Sequence, residues 1–270
     1  MIESIPDYGE VFCMYQRRAA VRRGRRRTRR RRGSRLPLYA FLLAVLFFTL
    51  ASALPPEEPP QPAQPARTVA VRSMASLAEP DAPDLSSWSL TLVNQWNPLS
   101  RDNTFTPEKL SNGLVVDQRC YPDLQAMMDA CRAAGLSPVI CSAYRSYEKQ
   151  EELYQNKVDR LLAQGYAQTD AEEEAGKVVA RPGTSEHQLG LAVDIVDLDN
   201  QNLDETQEDT AVQQWLMAHS WEYGFILRYP GGKSEITGII YEPWHYRYVG
   251  RAAAAEIYAQ GVCLEEYLAP

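Results

Sequence analysis

The chain has 270 residues, of which 45% are hydrophobic, so it is long enough for one well-packed domain with extensions. Its charge is unevenly distributed. The first 35 residues hold twelve arginines and three acidic residues, out of 28 basic and 35 acidic residues in the chain, which leaves 16 basic against 32 acidic side chains in the remainder. A surface this acidic repels phosphate backbones, because nucleic-acid binding requires clustered lysine and arginine on the folded domain. We therefore expect no nucleic-acid partner.

Residues 1–35 form a basic tail, and the arginine-rich run from Arg17 to Arg35 is followed directly by the uncharged segment 36–54. As a helix rising about 1.5 Å per residue, this segment reaches roughly 28 Å, close to the thickness of the hydrocarbon core of a bilayer. Because flanking arginines favour the cytoplasmic side, we predict a single-pass membrane anchor with the rest of the chain outside. The alternative is a signal segment that is cleaved near Ala53, followed by secretion.

Residues 55–83 follow as a proline-rich linker, since their first twelve residues, PPEEPPQPAQPA, contain six prolines. Such a composition favours an extended spacer without a core of its own. We predict that the folded domain occupies residues 84–270, which is enough chain for a single hydrophobic core. We expect this domain to be a monomer.

Hydrophobic periodicity and turn residues predict short helices and strands along this domain. Gly135 is a suitable helix stop, and Ser146 is a suitable N-cap for the next helix. In chain order we predict a strand at 90–93, a helix at 122–134, a strand at 138–144, a helix at 147–164, a helix that begins with a capping box of Thr169 and Glu172, a strand at 193–196, a helix at 210–223, and strands at 225–229 and 236–241. Helices and strands do not alternate regularly, as they would in a parallel doubly wound sheet. The predicted fold class is therefore α+β, with a small, mainly antiparallel sheet and surrounding helices.

Four cysteines fall in the domain: Cys120, Cys131, Cys141 and Cys263. None of them has the CxxC spacing of a structural zinc site. Cys131 lies on an apolar helical stripe and Cys141 in an apolar strand, so we predict that these are buried thiols. A disulfide such as Cys120 to Cys263 remains an alternative in an exported domain.

The stretch from Ser185 to Asp194, SEHQLGLAVD, contains two candidate metal ligands, His187 and Asp194, and a third, His245, follows in the sequence EPWH. Catalytic zinc takes three such ligands and leaves a fourth position for water. Seven residues of helix would separate the first pair by about 10.5 Å, and seven of strand by roughly 23 Å, whereas zinc ligands lie about 2 Å from the metal. The chain must therefore fold back between them, and Gly190 is the residue able to adopt the necessary dihedral angles.

Glu242 precedes a proline, which disfavours helical geometry, so we predict an extended strand edge that leads to His245. A carboxylate beside the ligands could act as a general base toward water and then protonate a leaving amine, which is the chemistry of amide hydrolysis. Other candidates have simpler explanations. We expect His219 to be an ordinary structural side chain on its helix, and Asp197 and Asp199 to be solvated carboxylates of a loop.

Arg145 lies at a predicted strand-to-helix junction, where a surface salt bridge is the ordinary interpretation. A position next to a helix N-terminus also suits an anion, and a guanidinium binds a carboxylate through two parallel hydrogen bonds. A peptidase that removes a terminal residue needs such a group to hold the free carboxylate of its substrate. We therefore consider Arg145 a candidate catalytic and substrate-binding residue.

Five segments, SAYRSYEKQ, PGTSEHQLGLAVDI, YGFILRYP, ITGIIYEPWHYRYVG and CLEEYL, together resemble the VanY-type D-alanyl-D-alanine carboxypeptidases, zinc peptidases of the hedgehog and DD-peptidase fold. The resemblance extends over residues 90–268. It implies one zinc ion per domain with the ligands His187, Asp194 and His245, and Glu242 as the catalytic base. It also implies a group of residues that hold the terminal carboxylate or the polarised carbonyl of the substrate: Arg145, Gln150, Ser142 and Ser185.

The function that this resemblance implies is removal of the C-terminal D-alanine from peptidoglycan stem peptides, at a D-Ala-D-Ala or an L-Lys-D-Ala bond. Such a substrate lies outside the bacterial cell membrane, in agreement with the topology predicted from residues 36–54. Two alternatives remain open: a non-catalytic zinc module that binds or senses peptidoglycan, and an endopeptidase that cuts within the stem peptide. A free base at Glu242 favours catalysis over a structural zinc site, and Arg145 favours terminal over internal cleavage.

Overall fold

The structure is a computed structural model that describes residues 87–269. The predicted basic tail, the anchor or signal segment at 36–54 and the linker at 55–83 lie outside these residues. Within the described part of the chain, no helix combines the length and the apolar character needed to cross a bilayer. The anchor and the domain boundaries therefore stay predictions.

Six strands and seven α-helices make up the described residues, together with short 3-10 helices. The strands are β1 (Pro107–Lys109), β2 (Val115–Asp117), β3 (Pro138–Ser142), β4 (Ala192–Asp197), β5 (Phe225–Leu227) and β6 (His245–Tyr248). The helices are α1 (Tyr121–Ala133), α2 (Tyr147–Ala163), α3 (Gln168–Val178), α4 (Ala211–His219), α5 (Ser234–Thr237), α6 (Arg251–Gln260) and α7 (Leu264–Leu268). The 3-10 helices are Trp88–Leu90, Glu186–Leu189, Glu205–Asp209 and Ser220–Tyr223.

A four-stranded antiparallel sheet with the strand order β3-β4-β6-β5 positions the rest of the domain, and β1 and β2 form a second, two-stranded sheet. Side chains alternate between the two faces of a strand. From β4, Val193 and Ile195 enter the main hydrophobic core, which also contains side chains of α1 and α4. Val196 packs on the other face, in a smaller cluster with Cys141 and Trp244. The predicted α+β class with a small antiparallel sheet is confirmed.

The helices on either side of β3 follow the predicted patterns. α1 has a proline in its first turn and buries one stripe of its surface, formed by Leu124, Met127, Met128 and Cys131. α2 begins after Ser146, whose hydroxyl accepts a hydrogen bond from the backbone N–H of Lys149 at 3.2 Å. The strand between these helices therefore leads, through residues 143–146, to a capped helix N-terminus.

Two predicted strands and one predicted cap are wrong. Residues 90–93 form no strand, because the guanidinium of Arg247 binds the backbone carbonyls of Ser89 and Thr91, each at 2.9 Å. Residues 236–241 include the end of α5, which stops at Gly238 with φ 78°. α3 begins at Gln168 without a side-chain cap, so Thr169 lies inside its first turn and the predicted capping box is not formed.

All four cysteines of the described residues are buried, as the apolar pattern around them predicts. Cys131 contributes to the main core from α1, and Cys141 to the smaller cluster on the other face of the sheet. Cys120 and Cys263 are both thiols, so the alternative disulfide between them is not formed. Packing accounts for these side chains.

Candidate active site

The antiparallel register of the central sheet aligns three side chains of the candidate site. Asp194 in β4 lies opposite Ser142, the last residue of β3, and also opposite His245, the first residue of β6. Directly opposed residues have Cβ atoms about 4.5–5.5 Å apart, close enough for their side chains to interact. One row across three strands thus carries a hydroxyl, a carboxylate and an imidazole.

His187 reaches the same place through the turn that the sequence predicts. The 3-10 helix Glu186–Leu189 ends at Gly190, which has a left-handed φ of 74°. A Cβ atom on this glycine would approach the ring of Phe105 to 2.8 Å, so both the backbone angle and the available space require glycine. The chain then enters β4, which leaves His187 Nε2 3.3 Å from Asp194 Oδ2.

His187, Asp194 and His245 form the ligand cluster, a buried set of three candidate metal-binding groups whose ligand atoms lie within 4.8 Å of one another. His245 Nδ1 is 3.0 Å from Asp194 Oδ1. His187 Nδ1 is 2.7 Å from the carbonyl oxygen of Ala143. Because a hydrogen on that nitrogen is donated to the carbonyl, Nε2 of His187 keeps its lone pair for a metal. The three residues predicted from sequence are therefore brought together.

Glu242 lies beside the ligand cluster, but not on the strand edge that the sequence predicts. It begins a turn closed by the N–H of His245, which donates to the Glu242 carbonyl at 3.2 Å, and β6 starts only at His245. Pro243 occupies the second position of this turn, where its fixed φ is favourable. The turn leaves Glu242 Oε2 3.7 Å from His245 Nδ1, within reach of a group held by the cluster.

Burial and neighbouring charges shift the pKa values of these groups in different directions. Burial raises the pKa of Glu242 to about 8. Burial and the adjacent Arg145 lower the pKa of His187 to about 4. Burial opposes the charged form of His245 as well, but its hydrogen bond to Asp194 raises the pKa to about 9. Asp194 is buried too, yet the two histidines and Arg145 hold its pKa well below the ordinary range.

Arg145 is tied to the ligand cluster, and within the described part of the chain it makes no separate surface salt bridge. Its Nη2 donates to Asp194 Oδ2 at 2.8 Å, and its Nε and Nη2 both donate to the Ser142 hydroxyl, at 3.0 and 2.8 Å. Its Nη1 makes a longer hydrogen bond, 3.4 Å, to the side-chain oxygen of Gln150. The Arg145 side chain keeps 20% of its surface exposed, and Nη1 is its most weakly bonded donor.

The other predicted substrate-binding residues lie around Arg145 and the ligand cluster. Gln150 is fully buried and both ends of its amide are engaged, since its nitrogen donates to the Ala180 carbonyl at 2.7 Å. Its geometry fits a role in holding Arg145. Ser142 also holds the guanidinium. Ser185 is buried at the start of the 3-10 helix of His187, where its side chain makes no capping hydrogen bond.

The remaining candidates lie outside the ligand cluster. His219 is exposed at the end of α4, where its Nδ1 is 2.8 Å from Glu222 Oε1. Asp197 accepts a hydrogen bond from the backbone N–H of Asp199 at 2.9 Å, in the loop after β4. The structural interpretations of these residues are confirmed.

Sequence reasoning missed a second buried group, here named the arginine cluster: Glu186, Arg228, Arg247 and Glu265. Glu186 Oε1 accepts from Arg228 Nε at 2.8 Å and from Arg247 Nη1 at 2.7 Å. The same Arg228 donates through Nη1 and Nη2 to Glu265, at 2.8 and 2.6 Å. The available signal was an arginine in the predicted apolar strand at 225–229, FILRY, and another in HYRY. A charge in a buried strand implies a buried partner.

Two imidazoles and one carboxylate around a buried point, with a second carboxylate nearby, match the donor set of a mononuclear metal-dependent hydrolase. The hydrogen bond from His187 to Ala143 supports this match, because metal-binding histidines are oriented through their other ring nitrogen. Comparison with known proteins identifies the group. Residues 113–251 match the family VanY, D-alanyl-D-alanine carboxypeptidase. The chain belongs to this family.

Individual relatives agree with the family match. A D-alanyl-D-alanine carboxypeptidase of Enterococcus faecalis is 50% identical over 186 residues, which cover 68% of this chain and 67% of the relative. A zinc(II) complex of a mutant of the vancomycin resistance D,D-pentapeptidase VanY, from a VanB-type cassette, matches with a TM-score of 0.63 at 50% identity and covers 68% of this chain and 100% of that one. The LD-carboxypeptidase LdcB matches with a TM-score of 0.55 at 36% identity, over 65% of this chain and 83% of that one.

Proposed function

We propose that this protein is a zinc carboxypeptidase that removes the C-terminal D-alanine from peptidoglycan stem peptides ending in D-Ala-D-Ala. The observation that carries the proposal is the buried ligand cluster with Glu242 Oε2 at 3.7 Å from His245 Nδ1. A structural metal site has no need of this additional carboxylate. The arrangement therefore favours hydrolysis over a peptidoglycan-binding module without activity.

Zinc, when bound by His187, Asp194 and His245, supplies Lewis acidity that polarises a carbonyl oxygen and makes water a stronger acid. Glu242 accepts the proton of the attacking water at a carboxylate oxygen and returns it to the nitrogen of the leaving D-alanine. Positive charge at the ligand cluster favours the carboxylate form of Glu242, which opposes the effect of its burial. The same side chain thus serves as base and then as acid.

Arg145 gives the reaction its preference for the end of a chain. Its Nη1 carries the weakest of its hydrogen bonds, at 3.4 Å, and can turn from Gln150 toward an incoming carboxylate. Ser142 and Asp194 hold the guanidinium in place through its Nε and Nη2 donors. The positive charge is then presented beside the ligand cluster, where the terminal carboxylate of a peptide lies one residue beyond the cleaved bond.

Similarity supports a D-Ala-D-Ala bond as the one cleaved. Two of the relatives named for D-alanyl-D-alanine or D,D activity are 50% identical to this chain, whereas the LD-carboxypeptidase LdcB is 36% identical. A bond of the L-Lys-D-Ala type is the outcome to test against. Because all these enzymes share one fold, the difference must lie in contacts to the residue before the cleaved bond.

The experiment offers the zinc-loaded protein two stem peptides, a pentapeptide ending in D-Ala-D-Ala and a tetrapeptide ending in a single D-alanine. We expect free D-alanine from the pentapeptide and none after treatment with a chelator, with activity restored by zinc. Release that continues after chelation contradicts the metallopeptidase assignment. Faster cleavage of the tetrapeptide assigns the L-Lys-D-Ala bond instead, and cleavage within the stem assigns an endopeptidase.

We also propose that the domain acts outside the cytoplasm as a monomer, held at the bacterial cell membrane by residues 36–54 or secreted after cleavage near Ala53. The support is the uncharged segment next to the arginine run, together with a substrate class that lies outside the membrane. Intact-mass measurement of membrane-extracted protein distinguishes an anchored from a cleaved chain. Sedimentation of the same protein measures its oligomeric state, for which we expect a monomer.

A further inference from the structure

Two buried polar atoms, His245 Nε2 and Glu186 Oε2, face each other without a hydrogen-bond partner among residues 87–269. They lie 3.8 Å apart, slightly beyond hydrogen-bonding distance, and both side chains are almost completely buried. Buried polar atoms normally find partners, and an isolated exception calls for a functional explanation. At this separation a small movement closes the bond between them.

The position of Glu186 is fixed from its other oxygen. Oε1 accepts from both Arg228 and Arg247, at 2.8 and 2.7 Å, and these arginines are themselves held elsewhere. Arg228 binds Glu265, and Arg247 binds the carbonyls of residues 89 and 91. The carboxylate is therefore held as a rigid acceptor, with Oε2 aimed at the far nitrogen of the His245 ring.

Histidine chemistry explains what this acceptor would do. His245 presents Nδ1 toward Asp194 and the centre of the ligand cluster, so Nδ1 is the ring atom that would offer its lone pair to a bound metal. The hydrogen of the ring must then be on Nε2, because a neutral imidazole carries only one. A carboxylate that accepts this hydrogen fixes the tautomer and the ring orientation, and raises the basicity of the ligand.

We propose that Glu186 is a positioning residue for the metal site, which acts by accepting a hydrogen bond from Nε2–H of His245 while Nδ1 binds the metal. The inference rests on the metal-binding part of the proposed function. It links the arginine cluster to the ligand cluster, since the two arginines set the place from which Glu186 acts. His187 is oriented by a backbone carbonyl, whereas His245 is oriented by this carboxylate.

The first test measures zinc affinity of the full-length protein by competition with a chromogenic chelator. In Glu186→Gln the amide has one oxygen, which the two arginines occupy, so its NH2 group faces Nε2–H and the bond is lost. We expect zinc binding to weaken about 10- to 100-fold, as for other partners of metal-binding histidines. Glu265→Gln is the matched control, because it perturbs Arg228 from the far side and does not touch His245. We expect its zinc affinity to be unchanged.

Equal losses in both variants, or no loss in Glu186→Gln, overturn the proposal. If Glu186→Gln does not fold, the wild-type protein decides the question by NMR. The chain contains only three histidines, so selective 15N-histidine labelling gives a simple spectrum. In the zinc-loaded protein we expect two exchange-protected ring N–H signals, one from Nδ1 of His187 and one from Nε2 of His245. An unprotonated Nε2 on His245 contradicts the proposal.

Neither measurement uses a peptide substrate, so the inference and the proposed reaction fail separately. A protein that shows the expected affinities and tautomers but cleaves no stem peptide keeps Glu186 as a positioning residue and loses the proposed activity. A protein that cleaves stem peptides with an unprotonated His245 Nε2 keeps the activity and loses this role for Glu186.

Discussion

The ligand cluster and the arginine cluster lie side by side, yet their charges are balanced in different ways. In the arginine cluster two guanidinium groups meet two carboxylates at 2.6 to 2.8 Å, so the chain itself neutralises every charge. The ligand cluster instead gathers Lewis bases, and Arg145 is the cation that contacts it within the described residues. A bound cation is the natural counterpart of such a set. The comparison separates a cluster whose charges the chain itself neutralises from one suited to hold a cation.

The largest effect is expected at Glu242, which lies beside the ligand cluster. Glu242→Gln removes the proposed base and leaves the three ligands in place, so kcat with the stem pentapeptide should fall about 10²- to 10⁴-fold. Zinc content and thermal stability, measured on the same preparation, should stay close to those of the wild type. A variant that retains its activity would exclude Glu242 as the general base.

The next largest effect is expected in the arginine cluster. Arg228→Met leaves Glu186 and Glu265 buried or nearly buried without their shared partner, and we expect the free energy of unfolding to fall by about 3–5 kcal/mol. Urea denaturation measures it. Arg132→Met is the control, since Arg132 pairs with Asp129 at 3.0 Å on the exposed surface of α1, where such a pair contributes about 0.3–0.5 kcal/mol. Similar losses in the two variants would mean that the arginine cluster contributes no more than a surface pair.

Removal of the metal should have a smaller effect on stability. Only the folded chain brings the three ligand atoms within 4.8 Å, so zinc at a hundredfold excess over its Kd should stabilise the protein by about 2.7 kcal/mol. A series of melting temperatures against zinc concentration measures this dependence. His245→Ala, which lacks one ligand, should lose most of it. A zinc-dependent shift of full size in this variant would place the metal elsewhere.

The smallest effect, counted per unit of pH, concerns a buried group that belongs to neither cluster. Burial raises the pKa of the Cys120 thiol to about 12, from an ordinary value of 9.0. As pH rises above about 9, the unfolded chain loses this proton before the folded one does, so the free energy of unfolding should fall by up to about 1.4 kcal/mol per pH unit until about pH 12. Below about pH 9 the contribution is fully present. Denaturation of wild type and Cys120→Ala at several pH values isolates it, and equal slopes would contradict the assignment.

The members of the ligand cluster could be predicted because their residue types are those of metal ligands. One glycine between two of them also indicates the turn that brings them together. His187 and Asp194 can share a metal only if the chain reverses, and the left-handed Gly190 provides that reversal. Ser146 was equally readable, because an N-cap is a local hydrogen bond. These features depend on residues a few positions apart.

Features that depend on distant partners could not be predicted in the same way. Glu186 and Arg247 are 61 positions apart and meet only through the register of β4 and β6. The apolar run at 236–241 satisfies a strand pattern, yet Ile240 bonds to the carbonyl of Lys177 at the end of α3 and lies in no sheet. At Glu242 the proline was correctly taken to exclude a helix, but a turn and a strand edge are both compatible with it. Tertiary contacts decided between them.

The alternation of side chains along β4 has a consequence for insertions and deletions. Val193 and Ile195 enter the main core, so Asp194 between them points to the other face. One residue added between Gly190 and Asp194 would exchange the faces, placing a carboxylate in the core and a valine at the metal. Such a change destroys the fold and the site together. Insertion or deletion of a single residue in this segment is therefore expected to prevent folding, whatever its effect on activity.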